Sequence, residues 1–174
     1  TFQYKRLTKN KKLPFRIYQI GNVFRDEPIT GNRWRQFTQC DVDIISAELP
    51  DIAELLKISA ELFEQLNIKP FIFINNRKLL NEILDELRIA EQDKQQVIRE
   101  IDKLDKLSEE QVLENLRKYK AEEIISVLKK PETYFEKYEN YKDIKNLKKI
   151  CSLYGVKIQF SPFLARGLSY YNWI

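Results

Sequence analysis

Between Phe15 and Ser46 two runs rich in β-branched and aromatic residues flank a connection that holds Pro28, Gly31 and Asn32. Alternating apolar and polar positions around turn formers predict a long β-hairpin over 15–46 with a wide, mobile loop. In a strand, alternate side chains share a face. Counting by twos puts Arg33, Arg35, Phe37, Gln39, Asp41 and Asp43 on one side of the return strand, and Trp34, Cys40, Val42 and Ile44 on the other. The second set reads as core and the first as chemistry. On the outgoing strand Val23 and Arg25 share a parity, with Glu27 just beyond, so two arginines and a glutamate can meet around the loop.

The pattern changes on either side of this hairpin. Phe2, Tyr4 and Leu7 among lysines suggest the tail of a helix over Thr1 to Lys12, and Pro14 imposes an extended entry to the first strand. Leu49-Pro50-Asp51 starts an amphipathic helix in which Ile52, Leu55, Leu56, Leu62, Phe63 and Leu66 recur at helical spacing. The apolar run Phe71 to Ile74 reads as a buried central strand that stops at Asn75-Asn76-Arg77. From there to Ile150 the chain is rich in Lys, Glu, Leu and Ile at helical periodicity. Leu79 to Leu87, Val97 to Leu104, Val112 to Leu116 and Ile124 to Leu128 mark four short helices, the third capped by Ser108. Pro131 ends the block, and a longer helix to Ile150 carries Tyr134, Phe135, Tyr138 and Tyr141 as core or interface. Gly155 stops that helix, and Val156 to Phe160 is a strand. A block of short helices between sheet elements predicts a helical insertion subdomain at 77–130 within a sheet-bearing core formed by 1–76 and 131–174.

Composition narrows the chemistry. The 174 residues are 43% hydrophobic and 32% charged, an ordered chain with 30 Lys+Arg against 26 Asp+Glu. A net charge of +4 permits a nucleic-acid partner without requiring one. No stretch approaches the roughly 20 apolar residues of a membrane span, and no signal peptide is apparent, so a cytoplasmic location without membrane attachment is expected. Cys40 and Cys151 lack metal-ligand spacing and read as reduced core thiols. The absence of histidine excludes a histidine base or ligand, so any chemistry must run on positioning, arginines and carboxylates. Methionine is also absent, and the chain reads as a processed or excised piece.

Phe24, Arg25 and Glu27, then Arg33 and Phe37 after the loop, resemble motif 2 of the class II aminoacyl-tRNA synthetases. The continuation Thr38-Gln39-Cys40-Asp41-Val42-Asp43, together with Leu164-Ala165-Arg166-Gly167-Leu168-Ser169-Tyr170-Tyr171, is similar to the histidyl-tRNA synthetase form of that motif and to the family's histidine-binding signature, spanning 164–172. The helical block lies where that family carries its insertion. Ser169 departs from the pattern, since many members carry Asp there. Motif 1, with its dimer contacts, would precede Thr1, and motif 3 and the anticodon-binding domain would follow Ile174.

The resemblance implies an α+β fold, a class II synthetase-like, mainly antiparallel sheet flanked by helices. It implies a ligase that uses ATP and Mg²⁺ to activate histidine and charge tRNA(His), working as a homodimer when complete; the isolated piece is expected to have little activity. Arg25 would contact the α-phosphate, Glu27 the adenine amine, Arg33 the γ-phosphate, and Phe37 would stack on adenine. Gln39 and Asp43 would receive the α-ammonium of histidine. Arg166 would lie beside the α-phosphate and the attacking carboxylate, with Tyr170 and Tyr171 lining the imidazole pocket. Arg166 and Tyr171 have opposite parity, so both face one ligand only if the strand breaks near Gly167. No metal ligands are expected from the protein. The competing reading is a non-catalytic histidine-binding paralogue, such as the regulatory subunit of ATP phosphoribosyltransferase.

Overall fold

A computed structural model describes residues 11–26, 28–31, 33–166 and 173–174. The expected helix tail before residue 11 lies outside them. Contacts divide the chain into two compact units, Thr1–Ile52 and Ala53–Ile174, so the helical block shares a unit with the strands and helix on either side of it.

The first unit is the hairpin. Strands β1 (Phe15–Phe24) and β2 (Gln36–Ile45) pair antiparallel from Phe15↔Ile45 to Phe24↔Gln36 without a bulge. The pairing continues into the connection, where the Arg25 N–H donates to the Arg35 carbonyl at 2.8 Å. At the tip Thr30 and Arg33 exchange both backbone bonds, at 3.1 and 3.2 Å. The wide loop expected there is therefore drawn in where Thr30 and Arg33 meet. At the exit, Asp51 accepts from the Arg16 guanidinium at 2.7 Å and from the Glu48 N–H at 2.9 Å.

One expectation for the hairpin fails. The face assigned to the core is largely open: Trp34 is 66% exposed, Cys40 is exposed rather than a core thiol, Val42 is exposed and Ile44 half-buried. Tyr18 and Ile20, which pair with Val42 and Cys40, are 75% and 65% exposed. Alternation predicts which residues share a face, but burial needs a partner layer, and a two-stranded hairpin has none of its own.

Helix α1 (Leu49–Gln65) leads to β3 (Ile72–Ile74), which pairs parallel with β4 (Ile158–Phe160). The expected buried central strand is thus three residues long and half open, with Phe71 82% exposed, since β4 is its one strand neighbour among the described residues. Asn76 ends β3 in extended backbone and caps α2 (Arg77–Glu86) by accepting from the Lys78 N–H at 2.8 Å. Helices α3 (Glu91–Ile101), α4 (Glu109–Arg117) and α5 (Glu123–Leu128) follow, with a 3₁₀ turn at Asp102–Asp105 between α3 and α4. Ser108 caps α4 as predicted, in a reciprocal box with Gln111. Leu79, Ile83, Val97, Ile98, Val112, Leu116 and Ile124 form the core of this block, each no more than 1% exposed.

The long helix predicted up to Ile150 is two elements. Glu132–Lys137 is a 3₁₀ turn, Tyr138 is extended, and α6 runs over Tyr141–Leu153. The break is held by Glu82 of α2, whose carboxylate accepts from the backbone N–H groups of Glu139 and Asn140 at 2.9 and 3.0 Å and from the Asn140 side chain at 2.8 Å. Phe135, Tyr138 and Tyr141 are core while Tyr134 is half-buried. Phe135 and Tyr141 meet Phe160 edge-on at 5.1 and 5.4 Å, and on α6 burial pushes the Cys151 thiol pKa up. No helix among the described residues is long and apolar enough to cross a membrane.

Candidate active site

The uninterrupted register puts Val23 opposite Phe37, Gly21 opposite Gln39 and Ile17 opposite Asp43. Because β2 alternates, Phe37, Gln39, Asp41 and Asp43 share the face that parity predicted. Arg25 joins it from just beyond β1. Its guanidinium donates to the Gln39 amide oxygen at 3.0 Å and lies over the Phe37 ring at 4.8 Å from the centroid. The Gln39 amide nitrogen in turn donates to Asp41 at 2.7 Å. Arg25, Phe37, Gln39 and Asp41 are therefore one connected group.

This arrangement has definite chemical capacity. A guanidinium over an aromatic face is a favourable cation–π contact, and an aromatic ring on this face is a group on which a flat ligand can stack. The Arg25 guanidinium keeps further donors in a fixed fork suited to phosphate oxygens. Asp41 carries no role in the motif reading, and the alternation alone places it on this face beside Gln39. Asp43 is half-buried and lies four positions along the strand from Gln39, about 13 Å of chain. The pair can bracket a ligand rather than meet at a single atom of it. Arg33 is exposed, its backbone fixed against Thr30 at the loop tip.

In the second unit a scaffold positions Arg166. Asn75, fully buried at the end of β3, donates its side-chain amide to the carbonyls of Pro162 and Leu164 at 3.1 and 3.0 Å. Arg77, 7% exposed, donates to the Arg166 carbonyl at 3.2 Å and also bonds the side chain of Gln95 on α3. Burial, with Arg99 nearby, lowers the pKa of Arg77. The Arg166 side chain faces the 3₁₀ turn, 3.4 Å from Asp102 and 3.9 Å from Asp105. Those two aspartates also line a cavity of about 210 Å³ with Phe73, Ser161, Phe163, Leu164 and Ala165. Sequence spacing gave no sign of this scaffold, because its members lie 64 to 89 residues from their partners. Glu27, Tyr170 and Tyr171, and the break expected at Gly167, lie outside the described residues.

Comparison with known proteins agrees with the sequence motifs. The family model described as histidyl-tRNA synthetase matches residues 2–174. Histidine–tRNA ligase 1 of Bacillus cereus is 35% identical over 185 residues, covering 95% of this chain and 42% of its own. Histidine–tRNA ligase of Nanoarchaeum equitans is 39% identical over 167 residues, covering 92% of this chain and 39% of its own. The crystal structure of histidyl-tRNA synthetase from Nostoc sp. PCC 7120 superposes with a TM-score of 0.80 at 28% identity, over 98% of this chain and 45% of that one. This chain thus spans less than half the length of these relatives. The likeness also bears out the α+β, class II synthetase-like fold class, and none of these matches supports the regulatory-paralogue alternative. The chain belongs to the histidyl-tRNA synthetase family.

Proposed function

We propose that this chain carries part of the catalytic centre of a histidine–tRNA ligase, which activates histidine with ATP and transfers it to tRNA(His). In the first step a histidine carboxylate oxygen attacks the α-phosphorus of ATP, the bond to the β-phosphate bridging oxygen breaks, and pyrophosphate leaves. The nucleophile is already ionised, so alignment and stabilisation of phosphate charge suffice. A chain without histidine residues can do this with arginines.

The observation that carries the reading is the connected Arg25–Phe37–Gln39 group on one hairpin face. In this reading Arg25 engages the α-phosphate, Phe37 stacks on adenine, Glu27 holds its amine and Arg33 reaches the γ-phosphate. Gln39 takes the α-ammonium of histidine and, with Asp43, brackets the amino acid. Arg166 supplies charge at the α-phosphate, while Tyr170 and Tyr171 bound the imidazole. Mg²⁺ arrives with the nucleotide as part of the substrate. The same reading makes 77–130 an insertion between 1–76 and 131–174, and the complete protein a homodimer.

Histidine-dependent exchange of labelled pyrophosphate into ATP tests the reading in the full-length protein. Arg25→Ala and Arg166→Ala should lower turnover on the order of a hundred-fold or more, because each removes charge stabilisation where charge develops. Gln39→Ala and Asp43→Ala should chiefly raise the KM for histidine. Exchange that does not depend on histidine, or an Arg25→Ala protein with native turnover, would overturn it.

A further inference from the structure

The arginine proposed to act at the α-phosphate is held, side chain and backbone alike, by residues of the helical block and its entry. We infer that Asp102 and Asp105 act as a clamp that withholds the Arg166 guanidinium from ATP until it swings away from the 3₁₀ turn. This inference rests on the ligase reading above and adds positioning residues to it.

The charges and the anchoring both point this way. The Arg166 guanidinium has two carboxylates within 4 Å, at 3.4 and 3.9 Å, so the local sum is one negative charge. A triphosphate approaching Arg166 in this state meets net repulsion; once the side chain leaves the turn, the full positive charge becomes available. Meanwhile the Arg166 backbone stays where Arg77 holds its carbonyl, and the preceding residues stay where Asn75 binds the carbonyls of Pro162 and Leu164. Only side-chain torsions need change, a motion available on a fast timescale to a half-exposed side chain. The clamp is also weak enough to open, since Arg166 is 57% and Asp102 34% exposed and pairs of that kind are readily exchanged. Because Asp102 directly follows α3, a displacement of that helix moves the carboxylates relative to the anchored backbone and changes how firmly the arginine is held.

The test is ATP affinity by calorimetry, with the turnover and KM of pyrophosphate exchange, in the full-length protein. Asp102→Asn combined with Asp105→Asn should tighten ATP binding and lower its KM about two- to five-fold at low salt. The gain should shrink at high salt, where screening already weakens the clamp, and Asp102→Glu, which keeps the carboxylate, should behave as the native protein. A merely structural role would lower turnover without tightening ATP. Unchanged or weaker ATP binding in the double variant overturns the clamp. Arg166→Ala separates the two ideas. Native turnover in that variant would defeat the assigned role of Arg166 and the clamp with it. Lost turnover there, alongside unchanged ATP affinity in the double aspartate variant, would overturn the clamp alone.

Discussion

Replacing Glu82 by Gln tests how the helical block is tied to the segment that leads to β4 and Arg166. Asn140, at the start of α6, makes no side-chain cap bond of its own. The Glu82 carboxylate does that work from α2, taking the N–H groups of Glu139 and Asn140 and the Asn140 amide. A negative group beside a helix N-terminus gains further from the helix dipole. Gln keeps the shape but loses the charge, and turns one acceptor into a donor facing donors. With two backbone bonds at stake, each worth about 0.5–1.5 kcal/mol net, the loss should be about 1–2 kcal/mol once partial exposure is allowed for. That corresponds to a roughly 5- to 30-fold loss of protection.

The pH dependence makes this prediction sharper. Burial alone would raise the Glu82 pKa, but the bonds from Asn140 and Glu139 outweigh it, even with Asp85 nearby, and the native value lies below the ordinary 4.5. A carboxylate depressed in the folded state stabilises above its unfolded value, and that stability is lost as pH falls through the native value. Amide exchange read by mass spectrometry over 132–153 should therefore show Glu82→Gln opening faster at neutral pH, with the two proteins converging below pH 4.5. Equal protection at neutral pH, or a gap that persists or widens in acid, would refute the reasoning.

Two further outcomes follow from particular contacts. Phe135, fully buried and edge-on to Phe160, should cost about 3–5 kcal/mol when cut to Ala; amide exchange in α6 and β4 should then accelerate by about two orders of magnitude or more. Phe37→Ala, on the proposed adenine stack, should raise the KM for ATP while leaving that for histidine close to native, which exchange kinetics with each substrate varied in turn would check.

Much of the hairpin was legible because a single local rule governs it. Alternation fixes which side chains share a face, and an unbroken register from Phe15↔Ile45 to Phe24↔Gln36 leaves nothing to shift that parity. The helices from Leu79 to Leu128 were legible for the same reason, since a 3.6-residue period is written into consecutive apolar positions, and Ser108 announces its own cap. Where the reading failed, the deciding group was distant. The interruption at Tyr138 is held by Glu82, 57 and 58 residues from the amides it binds, and helical periodicity continues across that point without a sign of it. The exposure of Trp34, Cys40 and Phe71 fails in the same way, for burial depends on which layer lies opposite, a property of the whole assembly rather than of the strand.

The site divides along the same line. Residues proposed to touch ligand sit in short, chemically distinctive strings, because a ligand needs particular groups at particular offsets along one strand; Arg25, Phe37 and Gln39 were found that way, and the structure joins them. Residues that hold those groups in place need only reach them in space. Asn75 and Arg77 stood in the sequence as the mark of a strand ending, yet they fix the backbone at Pro162, Leu164 and Arg166. Asp102 and Asp105 belong to no motif in the sequence, yet they face the guanidinium of Arg166. A carboxylate 64 residues from an arginine has no sequence signature, yet the fold brings the two within 3.4 Å. Motif residues therefore identify the chemistry, and the supporting charges around them set how readily it begins.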